Sequence, residues 1–104
     1  MPEKTSPCPV ARTASVIATS WTCLILRDLL LHGARRFQDF QNGLQGIAPT
    51  TLSDRLRKLE QAGIVERHFY SMSPPRAEYR LTAKGKALGP LVRAMKDWGS
   101  RYAD

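Results

Sequence analysis

Cysteine is scarce in this chain, two residues in 104, and Cys8 and Cys23 fall in no Cys-x-x-Cys or His-x-x-x-His spacing. Zinc sites and disulfide frameworks announce themselves by such intervals, so no metal is expected. No run of 18 apolar residues occurs, which excludes a membrane-spanning helix on sequence grounds. The opening Met-Pro-Glu-Lys-Thr-Ser lacks the charged and apolar regions of a signal peptide, and a cytoplasmic location is the expectation. There is no P-loop and no Gly-x-Gly-x-x-Gly, and no nucleophile, base and carboxylate can be grouped around His32 and His68. Neither an enzyme nor a bound cofactor is therefore expected. Acidic residues are also in short supply: 9 Asp and Glu against 16 Lys and Arg leave a net charge of +7. That excess attracts polyanions and makes their binding salt-sensitive, but alone it does not separate nucleic acid from an anionic membrane.

What is present is a succession of short amphipathic helices followed by a hairpin. Residues 1 to 7 combine prolines, small polar residues and charges without an apolar period and read as a flexible N-terminal arm. Residues 8 to 104 read as a single domain. Pro9 suits the first position of a helix over about 9 to 18, with Val10, Ala14 and Ile17 on one stripe. Thr19 or Ser20 caps a second helix carrying Trp21, Leu24, Ile25 and Leu29, and Gly33 stops it. The segment Arg35-Arg36-Phe37 is too short to be assigned as a strand. Phe37, Phe40 and Leu44 mark a third helix that ends near Gly43. Gly46 and Ile47 form a turn, and Pro49 opens a fourth helix whose Leu52, Leu56 and Leu59 share one face until Gly63. Two helices joined by a short glycine-containing turn make a helix-turn-helix pattern.

Beyond Gly63 the β-prone Ile64, Val65, His68, Phe69 and Tyr70 lead to an irregular tip at 71 to 75, and 77 to 81 returns. One hairpin is expected here rather than a larger sheet. Thr82 caps a final helix in which Leu88, Leu91, Met95, Trp98 and Tyr102 recur at spacings of three and four, the seam of a helix that pairs with another. Pro90 should kink that helix or split off its first turn. The fold class is thus mainly α with a small antiparallel β-hairpin, a winged helix-turn-helix of the kind that grips double-stranded DNA.

The surface of the fourth helix supports that reading. With Leu52 at zero, Leu56 falls at about 40° and Leu59 at about −20°, which defines the buried side. Opposite lie Thr50, Asp54, Arg57 and Gln61, flanked by Thr51, Ser53 and Lys58, a set of hydroxyls, an amide and charges suited to base edges and phosphates. Thr50, Thr51, Ser53, Asp54 and Arg57 are the expected reading residues. Arg36, Arg55, Lys58, Arg67 and Arg76 are the phosphate candidates, Arg55 lying near the buried edge at about −60°; Arg35 is a further candidate by position. Pro74-Pro75 stiffens the hairpin tip beside Arg76, which would otherwise pair with Glu78 or Glu66. Cys8, as the cap before Pro9, sits at a helix's positive end, where a thiolate is favoured and a thiol becomes reactive. Cys23 reads as an inert core residue.

The motif Pro74-Pro75-Arg76-x-Glu78-Tyr79-x-Leu81-Thr82-x-x-Gly85 resembles the HxlR-type winged helix-turn-helix regulators. Trp21 with Leu24-Ile25-Leu26, Arg36-Phe37, Gly46-Ile47, Arg55-Leu56, Leu59-Glu60, Gly63, Leu88, Pro90 and Trp98-Gly99 extend the match from Cys8 almost to the end. The resemblance implies a bacterial or archaeal homodimer, joined through its first and last helices by Val10, Leu88, Leu91, Met95, Trp98 and Tyr102. It implies a recognition helix over 49 to 62 in the major groove of an operator and a wing over 64 to 81 on the flanking backbone. It also implies that a small-molecule or oxidant effector can act through an N-terminal cysteine, here Cys8. Three departures are visible: Ala48 stands where Ser usually caps the recognition helix, Thr50 where Lys is common, and Ser20 where Lys precedes the Trp. The alternative reading is a winged-helix module for protein association without specific DNA binding, whose wing would show little salt dependence.

Overall fold

The computed structural model describes residues 7 to 17 and 19 to 103; the expectations for residues 1 to 6 and Ala18 lie outside them. In chain order the elements are α1 (Pro9–Val16), α2 (Ser20–His32), β1 (Ala34–Arg36), α3 (Phe37–Gly43), α4 (Pro49–Gln61), β2 (Val65–Met72), β3 (Pro75–Leu81), α5 (Ala83–Lys86) and α6 (Gly89–Tyr102).

Local chemistry sets most boundaries. The Thr19 hydroxyl accepts the Thr22 N–H at 3.2 Å and starts α2, while Gly33, at φ 83°, lets the chain turn away as its N–H bonds Leu29 O at 2.8 Å. Pro49 opens α4 after Ala48, which offers no side-chain cap, as the departure from the family pattern anticipated. Pro90 divides the expected last helix into α5 and α6 and lies in the first turn of the latter, where its missing N–H removes no helical bond.

The sheet departs from the single hairpin expected. It has three strands in the order β1-β3-β2, with Ala34 opposite Arg80 and Arg36 opposite Glu78 on one side of β3, and Val65 opposite Leu81 on the other. Segment 34 to 36 is too short and too basic to show a strand period, and its partner lies far along the chain. A buried ion pair anchors it: Arg35 Nε donates to Asp28 Oδ2 at 3.1 Å, and Asp28 on α2 is only 7% exposed. Arg35 thereby ties α2 to the sheet. The hairpin is also longer than expected: past a register shift between Phe69 and Ser71, pairing continues to Met72 opposite Pro75 and leaves only Ser73 and Pro74 for the turn.

The core joins Ile25, Leu26 and Leu29 of α2, Phe40 and Leu44, Ile47, then Leu52, Leu56 and Leu59 of α4, with Ile64, Val65 and Leu81 at the base of the hairpin. Each fully buried Leu or Ile contributes about 1.5–3 kcal/mol, so the face of α4 that points inward is firmly determined. Tyr79 packs edge-on against Phe40, ring centroids 6.2 Å apart, and fastens β3 to α3. Of the stripe expected on α1, only Ile17 packs against this core. The helix ends at Val16, Val10 is 77% exposed, and only Val16 and Ile17 at its end pack on the core. Cys23, expected in the core, is half-buried at its margin, where its thiol points to Ile17 O at 3.7 Å and desolvation raises its pKa.

Candidate nucleic-acid interface

The turn between α3 and α4 is tight. Gly46 adopts φ 88°, Ile47 N–H reaches Leu44 O at 3.2 Å, and the Gln41 amide donates to Ile47 O at 3.1 Å. With its leucines buried, α4 turns Thr50, Ser53, Arg57, Lys58 and Gln61 outward, while Thr51 and Arg55 are half-buried at the edges of that face and Asp54, near its middle, is half-covered. The expected reading residues are thus brought onto one exposed surface.

Asp54 organises the charges there. Its Oδ2 accepts from Arg55 Nη1 at 2.7 Å and faces Lys58 Nζ at 3.2 Å, while its Oδ1 accepts from Arg57 Nη2 at 2.8 Å. Hydrogen bonds from Lys58 and Arg57 hold the Asp54 carboxyl below the usual carboxylate range. Arg55 Nε also donates to Thr19 Oγ1 at 3.2 Å, so its guanidinium is shared between Asp54 and the cap of α2. The residues of this cluster were all named from the sequence, but that Arg55, Arg57 and Lys58 share Asp54 was not. The spacing of Asp54 to Arg57 and Lys58, three and four positions on, was the available signal.

The wing is braced against the end of α4. The Thr82 hydroxyl donates toward the carbonyls of Gly63 and Ile64 while accepting the Gly85 N–H at 3.1 Å, and Lys84 Nζ donates to Ala62 O at 2.8 Å. Arg67 on β2 pairs with Glu60 of α4 at 3.1 Å and lies over the Phe69 ring. Position and orientation of the hairpin are therefore fixed relative to the recognition helix. Arg76 is exposed beside the tip; Glu78, one of its two anticipated partners, is taken by Arg80 at 2.6 Å, and Arg76 forms no salt bridge among the described residues. Arg36 is exposed as well, and its N–H is capped by Asp39 Oδ2 at 2.9 Å, which holds the Asp39 carboxyl below its ordinary range.

Further from this face, α6 has no buried residue, and Met95, Trp98 and Tyr102 are 43%, 62% and 63% exposed, the two rings 5.5 Å apart. Leu88 and Leu91 at its start are half-buried. Leu30 and Leu31 of α2 are exposed too, an apolar extension that the sequence periods did not single out. Cys8 is the N-cap of α1, as its position before Pro9 indicated, and is exposed. No single helix among the described residues is long and apolar enough to cross a membrane, and no cluster of metal-ligating side chains occurs among them.

A three-stranded sheet, a helix-turn-helix with its second helix presented outward and a braced hairpin define a winged helix-turn-helix transcriptional regulator. Residues 16 to 104 match the model of the HxlR-like helix-turn-helix proteins, and the chain belongs to that family. The uncharacterized HTH-type transcriptional regulator YdeP of Bacillus subtilis is 38% identical over 97 residues, covering 93% of this chain and 75% of that protein. An uncharacterized HTH-type regulator of Methanothermobacter thermautotrophicus is 36% identical over 95 residues, 91% of this chain and 72% of its own length. Among solved structures, the redox regulator HypR in its reduced form superposes with a TM-score of 0.86 at 37% identity, over 93% of this chain and 95% of that one. Diamide-treated YodB from B. subtilis gives a TM-score of 0.73 at 33% identity, over 93% and 96% of the two chains.

Proposed function

We propose that the chain binds its operator as a homodimer, inserting one α4 into each of two major-groove half-sites about one helical turn, roughly 34–36 Å, apart and laying each wing on the flanking backbone. The observation that carries this reading is the outward face of α4, whose hydroxyl, amide and cationic side chains stand opposite a fully buried leucine stripe, with the wing braced on the same helix. Thr50, Thr51, Ser53, Asp54 and Arg57 read bases; Arg36, Lys58, Arg67 and Arg76 contact phosphates, and Arg55, shared with Thr19, contributes mainly by holding the cluster in place. The seam of Met95, Trp98 and Tyr102, with Val10 of α1, is the surface buried in the dimer. The protein works where the chromosome is, in the cytoplasm. In gel-shift titrations Arg57→Ala and Arg76→Ala should each weaken binding about tenfold, the lower end of the loss expected for a DNA-contacting arginine. Unchanged affinity for both would sink this docking.

A redox layer is favoured by the place of Cys8 at the N-cap of α1 and by the likeness to the redox regulator HypR. The thiol lies on the helix proposed to join the subunits, so its oxidation or alkylation would alter how the two recognition helices are spaced. Peroxide or a quinone should change DNA affinity in the native chain and leave Cys8→Ser unaffected; an equal response of both proteins removes this layer.

A further inference from the structure

We propose that Asp54 is a selectivity gate on the recognition helix: it keeps the cations of α4 from the phosphate backbone and gives them up only where a base-edge amino group takes its carboxylate. This rests on the docking of α4 described above. An anion in the middle of a DNA-facing surface repels phosphates, so its presence there requires a reason. Stability does not supply one, because exposed ion pairs three and four residues apart contribute little. The geometry does. Both carboxylate oxygens are engaged, Oδ2 by Arg55 and Lys58 and Oδ1 by Arg57, so all three cations of α4 converge on one acceptor rather than pointing along a phosphate track. Through Arg55 the cluster is also pinned to Thr19 at the start of α2, which stops Asp54 from swinging aside with its partners.

Non-specific DNA offers the cluster only phosphate oxygens. An ionised carboxylate is an acceptor without a proton to give, so beside a phosphate Asp54 gains nothing and its cations must leave it to bind. In the major groove the base-edge donors are the amino groups of cytosine and adenine. Where one of these meets Asp54, the carboxylate is satisfied by the base, and Arg57 and Lys58 become available to flanking phosphates or to guanine. Recognition and backbone attraction are in this way made conditional on each other.

The test compares the full chain, Asp54→Asn and Asp54→Ser by fluorescence anisotropy on a random-sequence duplex and on a duplex selected from a random pool by the native chain, across a salt series. Both variants should bind the random duplex about tenfold more tightly, with the log–log salt slope steeper by about 0.9 per half-site, and the preference for the selected duplex should fall at least about tenfold. Sites selected by the native chain should carry a cytosine or adenine at one fixed position that the Asp54→Ser pool no longer requires. Arg57→Ala on the selected duplex serves as the reference: if it weakens binding there while both Asp54 variants keep the native random-duplex affinity and slope, the gate is wrong and the docking stands. If Arg57→Ala and Arg76→Ala both leave affinity for the selected duplex unchanged, the docking itself is wrong and the gate falls with it.

Discussion

Gly85→Ala is expected to loosen the wing from the recognition helix. A methyl built on Gly85 collides with the backbone carbonyl oxygen of Ile64 and approaches Leu81 Cδ2 to 2.9 Å. The oxygen belongs to the main chain at the foot of β2, so it cannot rotate away as a flexible side chain would. It is also the acceptor for Thr82 N–H at 3.0 Å and for the Thr82 hydroxyl. Overpacking of this kind costs about 1–3 kcal/mol, and a weakened hydrogen bond adds about 1 kcal/mol, giving roughly 2–4 kcal/mol in total. Against a stability of about 5–15 kcal/mol for a domain of this size, the loss is a large fraction. Urea unfolding followed by circular dichroism measures it directly, with thermal unfolding expected to shift down by at least about 10 °C. Gly43→Ala, where the atom nearest an added methyl is a side-chain nitrogen of Arg35 at 3.4 Å, is the matched control and should be near neutral. Because the strained carbonyl joins the end of α4 to the wing, DNA affinity of Gly85→Ala should fall even under conditions where the variant remains folded. A native unfolding midpoint for Gly85→Ala would refute the close approach of α5 to β2 on which the argument depends.

Acid should reveal Asp39. Its folded-state pKa is depressed, chiefly by the Arg36 N–H, so its contribution is present above the unfolded value and is lost as pH falls through the lower folded one. Asp39→Ala should therefore be less stable than the native chain near neutrality, by about 0.3–1 kcal/mol as for an exposed carboxylate at a helix start, and the two should converge in acid; a constant gap in urea midpoints across that range contradicts this. Trp98→Ser combined with Tyr102→Ser should shift sedimentation toward the monomer and weaken operator binding, while an unchanged sedimentation coefficient would remove α6 from the interface.

Helix ends were readable because single residues with local consequences mark them. Thr19, Gly33, Pro49, Gly63 and Pro90 each act on their own turn of backbone, and each lies where the structure starts, stops or divides a helix. The buried face of α4 was equally legible, since Leu52, Leu56 and Leu59 repeat at helical spacing in a segment that is otherwise polar. Strand β1 was not, because its pairing with β3 and the Asp28–Arg35 tie are long-range choices that three residues cannot encode in a local period. An apolar stripe also does not state what covers it. Val10 and Leu31 belong to amphipathic helices, yet they face outward, whereas Leu26 on α2 is fully buried. On the candidate interface the individual residues could be named from the wheel, but the competition of Arg55, Arg57 and Lys58 for Asp54 is visible only once their side chains are placed.

The claim at the centre of this account is that α4 and the wing grip DNA through its phosphates as well as its bases. Its most direct test is the affinity of the chain for a random-sequence duplex between 50 and 200 mM salt, about the range over which phosphate contacts lose most of their strength. Log affinity should fall steeply and linearly with log salt, and the slope should be shallower by about 0.9 per half-site in Arg76→Ala. A flat dependence, the same in the native chain and the variant, would contradict it and favour a surface made for protein association.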